Sequence, residues 1–191
     1  MEVIQATSAS FHKKDEGEIS SSEIHSLVKD GKMEAVLALL GRPYLISGKV
    51  IHGQALGRTL GFPTINLDVA ESYVSPKPGV YIGAAEIHHK DGGSEIQKAI
   101  ISAGYRPTVD GKDYLIEAHL IDFNGDLYGK KVSVSFVHYL REEIKFPDLN
   151  SLINQMEQDK LNAKVFFCFL KNLKKEIHES NYKLKNSSYR K

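Results

Sequence analysis

The chain is short of the residues that most readily announce chemistry: it has one cysteine and no tryptophan. A single thiol cannot form an internal disulfide or supply a cysteine zinc site. Cys168 lies in the apolar run FFCFL, which reads as a buried thiol rather than a nucleophile. An excess of one charge is missing too. Lysine plus arginine number 25 and aspartate plus glutamate 24, so a formal charge of +1 gives no general pull toward nucleic acid or anionic lipid. No stretch approaches the ~18 consecutive apolar residues of a membrane span, and the N-terminus lacks the basic-then-apolar pattern of a signal peptide. The expectation is a soluble cytoplasmic protein, acting as a monomer, with no nucleic-acid or membrane partner.

What is present suffices for a core: 191 residues, 41% of them apolar, make one full domain and at most a fragment of another. Residues 1–17 are polar and aperiodic, which predicts disorder. Ser20 with Glu23 fits a capping box before a stripe of Ile24, Leu27 and Val28, and residues 32–40 read as a second short helix stopped by Gly41 and Pro43. Helices this short must lean on something else. From Leu45 to about residue 140, β-rich runs alternate with turn pairs: DGG at 91–93, Asp110-Gly111 and Asn124-Gly125, each predicting a hairpin. Hairpins without intervening helices predict an antiparallel sheet closing into a barrel. Asp148 reads as the cap of a C-terminal helical region. Its apolar positions, from Leu149 through Ala163, Phe166 and Phe167 to Leu173 and Ile177, read as core, with Asn162 as a break. The tail at 180–191 is basic and polar, which predicts fraying.

The stretch GRTLGFPTIN, residues 57–66, is the least like ordinary packing. GQALGRT differs from a Walker A loop: its glycines stand one residue too close, arginine replaces lysine, and the chain enters a strand instead of a helix. Gly53, Gly57 and Gly61 nonetheless let backbone N–H groups approach an anion, and Arg58 adds a fork of donors. On a strand, Thr64 and Asn66 share a face. Their neutral oxygens suit Mg²⁺ that arrives with nucleotide phosphates. The alternative is a turn and a half-buried strand with both residues merely exposed; these ten residues alone favour it.

Phosphoryl transfer needs positioning, charge neutralisation and often a carboxylate to take the hydroxyl proton. In DYLIEAHLID, alternation groups Glu117 with Leu115, His119 and Ile121. Apolar neighbours would desolvate the carboxylate and strengthen it as a base; a solvent-facing strand glutamate is the simpler reading of the alternation alone. Arg141 either meets a ligand or pairs with Glu142 or Glu143. His88-His89 reads as surface.

These segments, in this order, resemble the riboflavin kinase family. The likeness runs from Gly48 to about Ala163, through GKVIHGQALGRTLGFPTIN, PKPGVYIG, SAGYRPTV and the stretch from Ile116 to Asp159. Its hallmark proline-threonine-x-asparagine is Pro63-Thr64-Ile65-Asn66. Its glutamate-x-histidine is Glu117 and His119, followed by Phe123 and Asp126 to Gly129. The resemblance implies a six-stranded antiparallel Greek-key barrel with a C-terminal helix, and transfer of the ATP γ-phosphate to the ribityl 5′-hydroxyl of riboflavin. By position, Gly53, Arg58, Gly61, Thr64 and Asn66 would bind ATP, Thr64 and Asn66 would meet Mg²⁺, Glu117 would be the base, and Arg141 and Phe146 would close over the flavin. The partners implied are riboflavin/FMN and ATP/ADP. A flavin-binding or regulatory module on the same barrel is the alternative.

Residues 18–44 are similar to the end of the adenylyltransferase module of bifunctional riboflavin kinase/FMN adenylyltransferases, which leads through Gly41-Arg42-Pro43-Tyr44 into a kinase barrel at 45–179. His25 stands where that module has arginine, and no His-x-Gly-His signature precedes it. The chain is therefore expected not to make FAD.

Overall fold

The structure is a computed structural model that describes residues 20–53, 57, 60–69, 72–108 and 111–187. The expected disorder of residues 1–17, the Asp110 turn position and Arg58 lie outside the described residues. Helices α1 (Ser21–Lys29) and α2 (Met33–Leu40) precede the strands β1 (Tyr44–Ile51), β2 (Thr64–Asp68), β3 (Gly79–His88), β4 (Ser94–Thr108), β5 (Gly111–Leu120) and β6 (Lys131–Arg141), and α3 (Leu149–Ser187) follows. The strands close into an antiparallel barrel in the order β1-β2-β5-β4-β3-β6. This is the six-stranded barrel with a C-terminal helix that the resemblance implied.

The DGG turn closes the β3–β4 hairpin, with His89 N–H donating to the Gly93 carbonyl at 2.8 Å. Asn124-Gly125 closes none, contrary to expectation. β6 pairs with β3 and β1 instead of β5, so the 121–130 connection crosses one mouth of the barrel. A turn dipeptide reports a local reversal; it does not say which strand the chain meets next.

Strand alternation fills the interior: Ile46 and Val50 of β1, Tyr81 of β3, Ile101 of β4, Ile116 and Ala118 of β5, and Val134 and Phe136 of β6. Tyr81 meets Phe136 edge-on at 5.0 Å between centroids. α1 and α2 add Val28, Met33 and Val36, each fully buried in the same cluster. Burial worth ~1.5–3 kcal/mol per side chain is what holds two helices too short to persist alone. Ser20 caps α1 through its hydroxyl, which accepts from Ser22 N–H at 3.2 Å rather than in the full reciprocal box. Gly41 ends α2 with a left-handed φ of 68°.

Between β2 and β3, the prolines of Val74–Pro78 leave few backbone donors. Tyrosine hydroxyls satisfy the carbonyls: Tyr44 donates to Val74 at 2.8 Å, Tyr114 to Pro76 at 2.6 Å, Tyr139 to Pro78 at 3.2 Å, and Tyr81 to Lys77.

Asp148 caps α3 as expected, accepting from Ser151 N–H at 2.7 Å, and that bond holds its carboxyl below the usual range. α3 runs unbroken through Asn162 and on to Ser187, past the expected start of the tail. Its inner side places Ala163 and Phe167 against Ile82 and Ile121. Cys168 is exposed, correcting the buried thiol read from FFCFL. One helix face alone meets the barrel, and Phe167 occupies it, so residue 168 turns away. Leu149 and Leu173 are exposed for the same reason.

Candidate functional site

β2 and β5 run side by side with Thr64 opposite His119 and Asn66 opposite Glu117. Ile116, Ala118 and Leu120 point into the core, so Glu117 and His119 stand on the outer face. Ile65 and Leu67 pack toward the core, which sends Thr64 and Asn66 out as well. Cross-strand Cβ atoms lie about 4.5–5.5 Å apart, so the threonine, asparagine and glutamate picked from separate segments share one patch. Glu117 and Asn66 are half-buried.

The glycine loop folds onto this patch. A Cβ at position 53 would lie 2.6 Å from Asn66 Cγ and nearer still to Nδ2, so Gly53 leaves the space that the amide fills. Phe62 N–H donates to the Gly57 carbonyl at 2.8 Å and closes the loop just before Pro63. Gly61 sits in that turn, exposed, with a left-handed φ of 84°. Beside Thr64 opens a cavity of about 310 Å³, lined by Pro63, Ile65, Leu120 and the 123–128 connection. Its volume is at the low end for small-molecule sites. His52 stacks on Tyr128 at 3.7 Å across the rim.

His119 anchors the start of β2. Its Nδ1 lies 2.9 Å from the Pro63 carbonyl and must donate, and the ring meets Phe62 edge-on. Nε2 then carries a lone pair and has no hydrogen-bond partner among the described residues. Burial holds the imidazole below its ordinary pKa, against the Pro63 bond and the Asp122 and Glu157 charges, with Lys160 adding to the depression. The folded state thus binds fewer protons than the unfolded chain between the lowered value and about 6.5. Stability should fall as pH drops through that window. Melting temperatures from about pH 7.5 to 5.5 should fall less steeply for His119→Asn than for the unsubstituted protein; parallel curves would contradict the assignment.

The segment expected to close over the flavin is stapled by ion pairs. Arg141 makes no ion pair with the Glu142 or Glu143 carboxylate; it meets Glu142 through Nη1, which donates to the backbone carbonyl at 2.9 Å. Its Nε donates to both carboxylate oxygens of Asp159, at 2.9 and 3.1 Å, and its Nη2 to Oδ2 at 2.6 Å. Asp159 is 3% exposed and also accepts from Gln155 at 2.9 Å. Glu142 takes Lys77 at 2.9 Å and Glu143 takes Arg106 at 2.6 Å. Phe146 is half-buried in the same connection. No local pattern marks Asp159 or Arg106: Asp159 sits 18 residues from its partner, and Arg106 declares itself only once β4 is known to flank β5.

Among the described residues no group of three or more His, Cys, Asp or Glu could hold a metal. Thr64 and Asn66 offer neutral oxygens, and Gly53 leaves room for the amide. This donor set fits an ion whose charge is balanced largely by a ligand's phosphates.

Comparison with known proteins decides the family. The family model described as Flavokinase, riboflavin kinase, matches residues 40–167. The chain belongs to the riboflavin kinase family. Among its relatives, this riboflavin kinase-family chain is 43% identical over 153 residues to the bifunctional riboflavin kinase/FMN adenylyltransferase of Haemophilus influenzae, covering 80% of the chain and 48% of that protein. The Bacillus subtilis protein described in the same words is 38% identical over 156 residues, again covering 80% and 48%. The chain thus spans about half the length of these relatives. A solved structure described as a macrolide-efflux protein from Streptococcus pneumoniae matches at 34% identity with a TM-score of 0.71, over 80% of this chain and 48% of that one. Among the described residues no helix is long and apolar enough to cross a membrane.

Proposed function

We propose that the chain transfers the γ-phosphoryl group of ATP to the ribityl 5′-hydroxyl of riboflavin, giving FMN and ADP. The observation that carries this reading is the register placing Asn66 beside Glu117 and Thr64 beside His119, with Gly53 and Gly57 packed closely on Asn66 and Thr64. Gly53, Arg58 and Gly61 would receive the phosphates, as the family resemblance implies, and the cavity beside Thr64 offers room for another part of the nucleotide. Thr64 and Asn66 would hold Mg²⁺ against those phosphates; the ion supplies charge neutralisation for the transferring group. The 5′-oxygen attacks phosphorus as the bond to the ADP oxygen breaks, and its proton passes to the Glu117 carboxylate. Arg141 and Phe146 belong to the connection that closes over the flavin. ATP supply suits a cytoplasmic setting.

Incubation with riboflavin and Mg-ATP should give FMN without FAD, since the sequence holds no His-x-Gly-His signature. Flavin quenching with no FMN above a Glu117→Gln control would leave only a non-catalytic binding module. Gly53→Ala tests the loop. The added methyl pushes the Asn66 amide aside, so KM for Mg-ATP should rise roughly tenfold or more, about the worth of one well-placed hydrogen bond to a charged partner. KM for riboflavin should stay nearly constant.

A further inference from the structure

β4 carries Ser102, Gly104 and Arg106 at alternate positions. Ala103 and Ile101 are in the core, so these three share the outer face with Glu117, and Ser102 is its cross-strand partner. Arg106 folds back along the strand: Nη2 lies 3.4 Å from Ser102 Oγ, and Nη1 donates to the Tyr105 carbonyl at 3.2 Å and to Glu143 Oε1 at 2.6 Å. A Cβ at position 104 would fall 2.6 and 2.8 Å from the two Glu143 oxygens. The gap at Gly104 is therefore occupied by a carboxylate from the β6–α3 connection, lying against an arginine fork at the shoulder of Glu117.

Such a niche holds oxygen ligands by shape and by donors, and here the chain fills it itself. The hold is weak. The side chains of Arg106 and Glu143 are 37% and 36% exposed, and pairs that open to solvent contribute little. An incoming ligand can replace one oxygen acceptor by another at small cost.

We propose that Ser102, Gly104 and Arg106 form the subsite for the hydroxyl oxygens of the acceptor's polyol chain, and that Glu143 is a stand-in displaced when the acceptor enters. The inference rests on the kinase reading above. A terminal hydroxyl delivered to Glu117 brings the next hydroxyls of a polyol within a few bonds of it, and the groups met there on the adjoining strand are Ser102 and Arg106. The ring system of the acceptor lies beyond reach of the niche.

The test compares riboflavin with lumiflavin, which keeps the ring system and lacks the polyol, by flavin fluorescence quenching and steady-state kinetics. Glu143→Gln removes the occupant's charge while keeping its volume, and riboflavin should bind about two- to fivefold tighter. Arg106→Met should weaken riboflavin roughly tenfold or more with KM for ATP unchanged, and Arg106→Lys should recover part of the loss. Lumiflavin affinity should not move in any variant. Weaker riboflavin binding in Glu143→Gln would make the pair a latch and overturn the proposal. So would riboflavin affinities unchanged in Glu143→Gln and Arg106→Met, or equal shifts for lumiflavin. Arg106→Lys covers the case that Arg106→Met fails to fold. A wild-type protein that forms no FMN would instead sink the kinase reading on which the proposal stands.

Discussion

Glu117→Gln should leave a folded protein that binds Mg-ATP and riboflavin with little change and turns over roughly 10²–10⁴-fold more slowly. The size follows from what is removed. The amide keeps the volume and the place beside Asn66 but cannot take a proton from the attacking hydroxyl. Transfer through a loose transition state asks little more of the protein than position and charge, so the base is worth a few orders of magnitude and not the whole acceleration. Single-turnover measurement with prebound substrates separates this from a binding defect. A variant within a few-fold of wild type would mean that Glu117 is a surface strand residue and that the proton leaves by another route.

The second large effect concerns stability. Arg141→Met should destabilise the fold by about 3–5 kcal/mol, because it leaves the Asp159 carboxylate buried with Gln155 as its remaining partner. At roughly 2–4 °C per kcal/mol for a chain of this size, the melting temperature falls by ten degrees or so. Arg141→Met combined with Asp159→Leu removes both charges and should recover most of the loss, since buried ion pairs seldom outperform apolar replacements of similar volume. Urea unfolding of the two variants checks this; equal losses would show that the pair itself, not the orphaned charge, carries the energy. The double variant also isolates any contact of Arg141 with flavin, because its affinity can be measured in a protein of near-normal stability.

The parts of this fold that were legible in sequence are those set by neighbours along the chain. Period-2 burial in DYLIEAHLID separated Glu117 from the core-facing Ile116 and Ala118, DGG marked a true hairpin, and Asp148 marked a true helix start. What stayed hidden depends on which strand lies beside which. Asn124-Gly125 gave no hint that β6 returns to β1 and β3 rather than β5. Helical spacing in FFCFL does not say which side of α3 meets the barrel, and Cys168 turns outward where the apolar run suggests a buried thiol. Residue type alone points to Thr64, Asn66 and Glu117 one at a time. Their convergence required the β2–β5 register, which no run of ten residues contains, and the approach of Glu143 to Arg106 needed three elements in place.

Because β1 and β6 pair along Tyr44 to Lys49, the sheet has no first or last strand with unsatisfied backbone groups. An open sheet must guard such a rim with charges, prolines or bulges, since it offers neighbouring molecules a template for aggregation. Here the connections at the two mouths are free of that duty. They can lengthen, shorten or swing toward a ligand while every strand keeps both of its partners.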